Sequence, residues 1–138
     1  MRVLRHTGTR HTGEIDMRLM KQRSQTRDVH PADAIQLEAM ANRGEQDTRV
    51  RWVHHLYFAD EATARQATEQ IEAAGWAEEW LSAQPEPYPG WMMRASRDVV
   101  VTAAEVVEAR AFFEGVAQRH GGTYGGWDVR RVPKHALV

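Results

Sequence analysis

The chain contains no cysteine, which excludes disulfides, thiolate nucleophiles and Cys-based zinc or iron–sulfur sites. The fold has to hold by packing alone, and the absence suits a reducing cytosol. No apolar run approaches the roughly 20 residues needed to cross a bilayer, and the Arg-rich start lacks the apolar core of a secretory signal. A soluble, cytoplasmic protein with no membrane partner is expected. Serine is scarce as well: Ser24, Ser82 and Ser96 are the only three, none in a nucleophile-elbow context. The glycine-rich stretch Gly121-Gly122-Thr123-Tyr124-Gly125-Gly126-Trp127 follows a helical segment instead of opening one, and it lacks the Lys-Ser/Thr of a phosphate loop. No catalytic set, metal set or cofactor site is therefore expected.

Charge is present in both signs but unevenly placed. Residues 1–32 carry seven Arg/Lys against three Asp/Glu, whereas residues 33–132 carry ten against sixteen. An acidic body is a poor phosphate binder, because nucleic-acid affinity depends on Lys/Arg neutralising the backbone; a basic protein surface suits it better. Residues 1–30, rich in Arg, His, Thr and Gln, show neither helical nor strand periodicity and have little to bury. They read as a disordered basic tail: an arm that could touch RNA, or, at least as well supported, an unstructured extension or sequence ahead of a start at Met17 or Met20. Residues 133–138 read as a short C-terminal tail.

Between the tails, residues 31–132 form one domain-sized unit. Pro31 and Asp33, then Ala34, Leu37, Met40 and Ala41 before Gly44, describe a short helix. The run Arg51-Trp52-Val53-His54-His55-Leu56-Tyr57-Phe58 is rich in aromatic and branched residues and reads as a strand. Asp60 can cap a helix whose apolar stripe is Ala64, Ala67, Ile71 and Ala74, ended by Gly75. Strands follow at Trp76–Ser82 and Trp91–Arg97, separated by the turn-forming Gln84-Pro85-Glu86-Pro87-Tyr88-Pro89-Gly90. Thr102-Ala103-Ala104-Glu105 is a capping box ahead of a helix reaching about His120, and Thr123–Arg130 supplies the last strand. The order β-α-β-β-α-β is the ferredoxin-like α+β arrangement: a four-stranded antiparallel sheet with two helices on one face, here preceded by the short N-terminal helix.

Alternation along the first strand puts Trp52, His54, Leu56 and Phe58 on one face and Val53, His55 and Tyr57 on the other. The second face then reads as only weakly polar, to be covered by the N-terminal helix, a second copy in a homo-oligomer, or a partner. His54 and His55 point apart and cannot chelate one ion together. A small ligand-binding or enzymatic domain using His54, His55 or His120 stands as an alternative to a binding protein. RNA-recognition modules share the topology, yet no stretch matches their Lys/Arg-Gly-Phe/Tyr signature, so direct nucleic-acid binding by the domain is not expected.

Val53-His54-His55-Leu56-Tyr57-Phe58 and Gly121-Gly122-Thr123-Tyr124-Gly125-Gly126-Trp127 resemble the two signature segments of the regulator of ribonuclease activity B (RraB) family. Ala73-Ala74-Gly75, Pro89-Gly90-Trp91 and Val99-Val100-Val101-Thr102 match it between them, so that the resemblance covers roughly Ala34 to Arg130. It implies a ferredoxin-like, non-catalytic protein that binds the endoribonuclease RNase E and inhibits it, altering RNA decay; the family has no catalytic residues to transfer. The Asp usual before Gly-Trp in the last segment is Gly125 here. Within that expectation, Glu69, Glu72, Glu78 and Glu79 would meet an Arg/Lys-rich segment of the nuclease, with His55, Tyr57, Tyr88 and Trp91 as neighbouring anchors.

Overall fold

The computed structural model describes residues 29–133; nearly all of the basic tail, and residues 134–138, lie outside the described residues. The elements are α1 (Pro31–Asn42), β1 (Arg49–Phe58), α2 (Glu61–Ala73), β2 (Ala77–Ala83), β3 (Trp91–Val100), α3 (Ala103–Arg119) and β4 (Thr123–Arg130). The strands form one sheet in the order β2-β3-β1-β4, every neighbouring pair antiparallel. This is the expected α+β, ferredoxin-like βαββαβ fold with a helix in front. The helix starts follow the sequence signals. Asp60 accepts the Thr63 N–H at 2.9 Å, Thr102 Oγ1 accepts the Glu105 N–H at 3.2 Å, and His30, placed with the tail on sequence, caps α1 by accepting the Ala32 N–H on Nδ1 at 3.1 Å.

Alternation holds along β1. Trp52, His54, Leu56 and Phe58 point to the helices and are all buried, joining Met40, Ile71, Trp76, Met93, Val106, Phe113, Val116 and Trp127 in one core. Removing such apolar surface from water is the main stabilising contribution, about 25 cal/mol for each Å² buried.

Two β-bulges break the alternation, and both redirect aromatic side chains. In β4 the pairing passes from His54–Trp127 to Leu56–Tyr124, leaving Gly125 and Gly126 opposite His55 alone. The extra residue turns both Tyr124 and Trp127 toward the core, where plain alternation allows only one of them. Gly126 supports the bulge with φ of +93°, a conformation side chains disfavour, and a Cβ on Gly125 would lie 2.6 Å from Cε2 of Tyr57. The glycine-rich stretch is thus a helix stop followed by a bulge. In β2 the register shifts between Glu78 and Trp80. Glu78 opposes Ala95, on the helix side, whereas Trp80 opposes Arg94 on the other face.

The N-terminal helix does not cover the second face of the sheet. It packs beside β4 on the helix side, where Met40 enters the core and Gln36 donates its side-chain amide to the Trp127 carbonyl at 2.8 Å. That contact occupies a backbone acceptor of the β4 edge.

Candidate functional site

Three polar regions are candidates for function, and their geometry separates them. The first is buried between α1, α3 and β4. Asp33, only 2 % exposed, accepts two hydrogen bonds from Arg110, Nε at 2.7 Å and Nη2 at 2.9 Å, and a third from Trp127 Nε1 at 2.8 Å. Read on sequence as first-turn acid of a helix, Asp33 is instead the clasp that fixes α1 to the domain. Beside it His54 stacks on Phe113 with ring centroids 4.3 Å apart, and its Nδ1 lies 2.7 Å from the Tyr124 hydroxyl. His54 Nε2 has no hydrogen-bond partner among the described residues. Burial holds the His54 imidazole well below its ordinary value, with the neighbouring His55, Arg97 and Arg110 acting in the same sense. Burial likewise pushes the Tyr124 phenol up. His54 is fully buried and Tyr124 partly so, with its hydroxyl turned to His54 Nδ1, so the region serves to hold the fold together.

The second region is the open face of the sheet. In place of the weakly polar surface expected from β1 alone, it carries an ion-pair layer contributed by its neighbours. Arg51 meets Asp98 through Nε at 2.9 Å and Nη2 at 3.1 Å, His55 Nε2 lies 2.8 Å from Asp128 Oδ2, and Arg130 reaches Glu79 at 2.8 Å. The last pair joins the two edge strands across the face. Hydrogen bonding to Arg51 holds the Asp98 carboxyl below its ordinary range, and the same contact raises the Arg51 guanidinium. With Arg49 and Arg94, four arginines stand against Glu79, Asp98 and Asp128, so the face carries no acidic excess. Val53 is fully buried between its cross-strand partners Ser96 and Asp128. Trp80, 47 % exposed, lies under the Arg94 guanidinium at 5.6 Å.

The third region is the helix layer, where the acidic excess resides. Glu69 and Glu72 share a side of α2 at a three-residue spacing, Glu78 stands at the start of β2, and Glu105 and Glu108 line the first turns of α3. None of the five has an ion-pair partner among the described residues. Between the end of α2 and the start of α3 lies a cleft of about 220 Å³ walled by Trp52, Trp76, Ala109 and Phe112, with Arg97, Glu105 and Glu108 on its polar side.

The residues singled out on sequence are therefore divided. Glu69, Glu72 and Glu78 lie on the helix side. Glu79, His55 and Tyr57 lie on the open face, Glu79 paired with Arg130, His55 hydrogen-bonded to Asp128 and Tyr57 half-buried over Gly125. Trp91 pairs with Phe58 and packs against the core, and Tyr88, 65 % exposed, stands in the β2–β3 loop. The three histidines do not converge: His54 is in the core, His55 on the open face, and His120 Nε2 is 3.1 Å from the Gln70 side-chain amide at the end of α3. Among the described residues no group of three His, Cys, Asp or Glu is placed to hold a metal, and no helix is long and apolar enough to cross a membrane. On sequence Trp80 is not singled out, and Glu105 with Glu108 reads as a solvated acidic face, not as the edge of a cleft. The first is exposed by a bulge without glycine; the second was signalled only by two unpaired acids three residues apart behind a helix cap.

The unit that carries these regions corresponds to a known family. The model of the family described as Regulator of ribonuclease activity B (RraB) matches residues 30–129. The chain belongs to the RraB family. The match begins at His30, the cap of α1, and ends within β4, so the N-terminal helix is part of the family unit. No curated protein sequence matches the chain. As a member of a family of regulators of ribonuclease activity, it has a ribonuclease as the implied object of its regulation.

Proposed function

We propose that the protein is a non-catalytic cytoplasmic inhibitor of an RNase E-type endoribonuclease, which it restrains by docking a basic segment of the enzyme on its acidic helix layer. The observation that carries this reading is the asymmetry of charge within a domain of the RraB family. On the open sheet face the carboxylates have partners of their own, whereas Glu69, Glu72, Glu78, Glu105 and Glu108 are unpaired among the described residues. Long-range attraction of that kind sets association rate and partner choice and is screened by salt. Glu69, Glu72 and Glu78 form the first contact surface. Glu79 and His55, already paired within the chain, contribute less, and Tyr88 supplies an apolar anchor at the end of the sheet.

The test is an RNA-cleavage assay with an RNase E-type enzyme from the same organism, with increasing amounts of the full chain, at low and high salt. Inhibition at low salt that weakens as salt rises supports the proposal. Undiminished cleavage with saturating protein at low salt refutes it.

A further inference from the structure

We propose that the cleft between the C-terminal end of α2 and the first turns of α3 is a socket for one arginine side chain of a basic peptide segment. The inference rests on the reading that the partner is basic and names the place where its chain is gripped. Trp52, Trp76, Ala109 and Phe112 wall the cleft, and apolar and aromatic walls suit the methylene stem of a long cationic side chain. Glu105 and Glu108 stand on its polar side. Among the described residues the only side-chain partner of Glu105 is its own cap, Thr102, at 3.2 Å. With Arg97 as the one opposing cation, the cleft carries a net charge of −1, which a single incoming guanidinium neutralises.

The chain already shows what its walls accept. Arg97 lays its guanidinium over Trp76 at 4.1 Å from the ring centroid and donates Nη2 to the Ala74 carbonyl at 3.0 Å. A cation over an indole face is attracted by the ring quadrupole, more strongly where water is excluded, and planar guanidinium groups combine such stacking with forked bonds to carboxylates. A second, independent observation points to a ligand. Trp52, 2 % exposed, forms part of the wall, and its indole N–H has no acceptor among the described residues. Buried donors are ordinarily satisfied. An arginine within a peptide brings backbone carbonyls with it, so one ligand supplies the cation for Glu105 and Glu108 and, with a small shift of the wall that uncovers the buried indole N–H, the acceptor for Trp52. The open-face ion pairs provide no such combination.

The experiment titrates the 15N-labelled full chain with a blocked hexa-arginine peptide at low salt, following the five tryptophan indole N–H resonances, with hexa-glutamate as control. The expected result is a shift of the Trp52 and Trp76 signals, with Trp80 unmoved. Glu108→Gln, on the exposed side of α3 and outside the helix cap, is expected to weaken binding about tenfold. The charge-matched single variants Glu38→Gln and Glu86→Gln are each expected to weaken it by less than about twofold. Absence of hexa-arginine binding, movement of Trp80 in place of Trp52 and Trp76, or equal weakening by the two sets of variants overturns the socket. The nuclease reading fails separately: a peptide that seats in the cleft while RNA cleavage is left untouched removes the nuclease as target and leaves the socket standing.

Discussion

The two faces of the sheet are built from alternate residues of the same strands, yet they hold charge in opposite ways. On the helix side, polar groups are few and sunk among aromatics: one carboxylate, Asp33, satisfies Arg110 and Trp127 together, and His54 sits neutral against Phe113. On the open side charges are many and half-exposed, each carboxylate in contact with an arginine or histidine. Buried polar groups without partners cost far more than exposed ones. The helix side should therefore dominate stability and the open side contribute little, which leaves the unpaired acids of the outer helix layer free for recognition.

The largest expected effect lies in the aromatic core. Phe113→Ala should destabilise the fold by about 4 kcal/mol, because it removes a fully buried ring and leaves a cavity against His54, Trp76 and Tyr124. Chemical denaturation followed by tryptophan fluorescence measures it. Asp33→Ala comes next, at about 2 kcal/mol, since it leaves the buried Trp127 indole N–H without its acceptor and the largely buried Arg110 guanidinium with Glu114 alone. Its effect should be concentrated on α1, visible as hydrogen exchange accelerating in Ala34–Asn42 before β1.

A smaller effect separates the faces by pH. The folded state keeps His54 neutral well below its ordinary value near 6.5, so between that value and the folded one the unfolded chain binds more protons. Stability should fall as pH drops below about 6.5, by at most ~1.4 kcal/mol per pH unit. His54→Leu should flatten melting temperature against pH between about 6.5 and 5, the interval that precedes ordinary carboxylate titration. The smallest effect belongs to the open face. Replacing Arg51 and Asp98 together by alanine should cost less than about 1 kcal/mol, since the pair is partly exposed and both members are removed. A loss comparable to that of Asp33→Ala in the same denaturation experiment would erase the contrast between the faces.

Much of this was legible in the residues. Asp60, Thr102 and Gly75 mark helix ends by local chemistry, and the alternation of β1 is intact, so topology and the inward face of Trp52 and His54 follow from spacing alone. What escaped was whatever depends on a register break or on strands distant in sequence. The bulge at Gly125–Gly126 is hinted at by its glycines, but its consequence, both Tyr124 and Trp127 pointing inward, requires the pairing with β1. The bulge that exposes Trp80 has no glycine to announce it. The open face looked apolar because β1 supplies Val53 and Tyr57, while the charges that cover it come from β2, β3 and β4. Asp33 has the composition of an ordinary helix-start acid; its burial is decided by Arg110 and Trp127, both far along the chain. The Glu105–Glu108 cleft exists only because the fold brings the end of α2 against the start of α3.

The most direct test of recognition by the helix layer is calorimetric titration of an RNase E-type nuclease with two variants of the full chain. One carries glutamine at Glu69, Glu72, Glu78 and Glu108; the other carries Arg51→Gln with Asp98→Asn. The account predicts binding reduced at least tenfold by the first and unchanged within about twofold by the second. Equal reduction by both, or loss confined to the sheet-face pair, would contradict it.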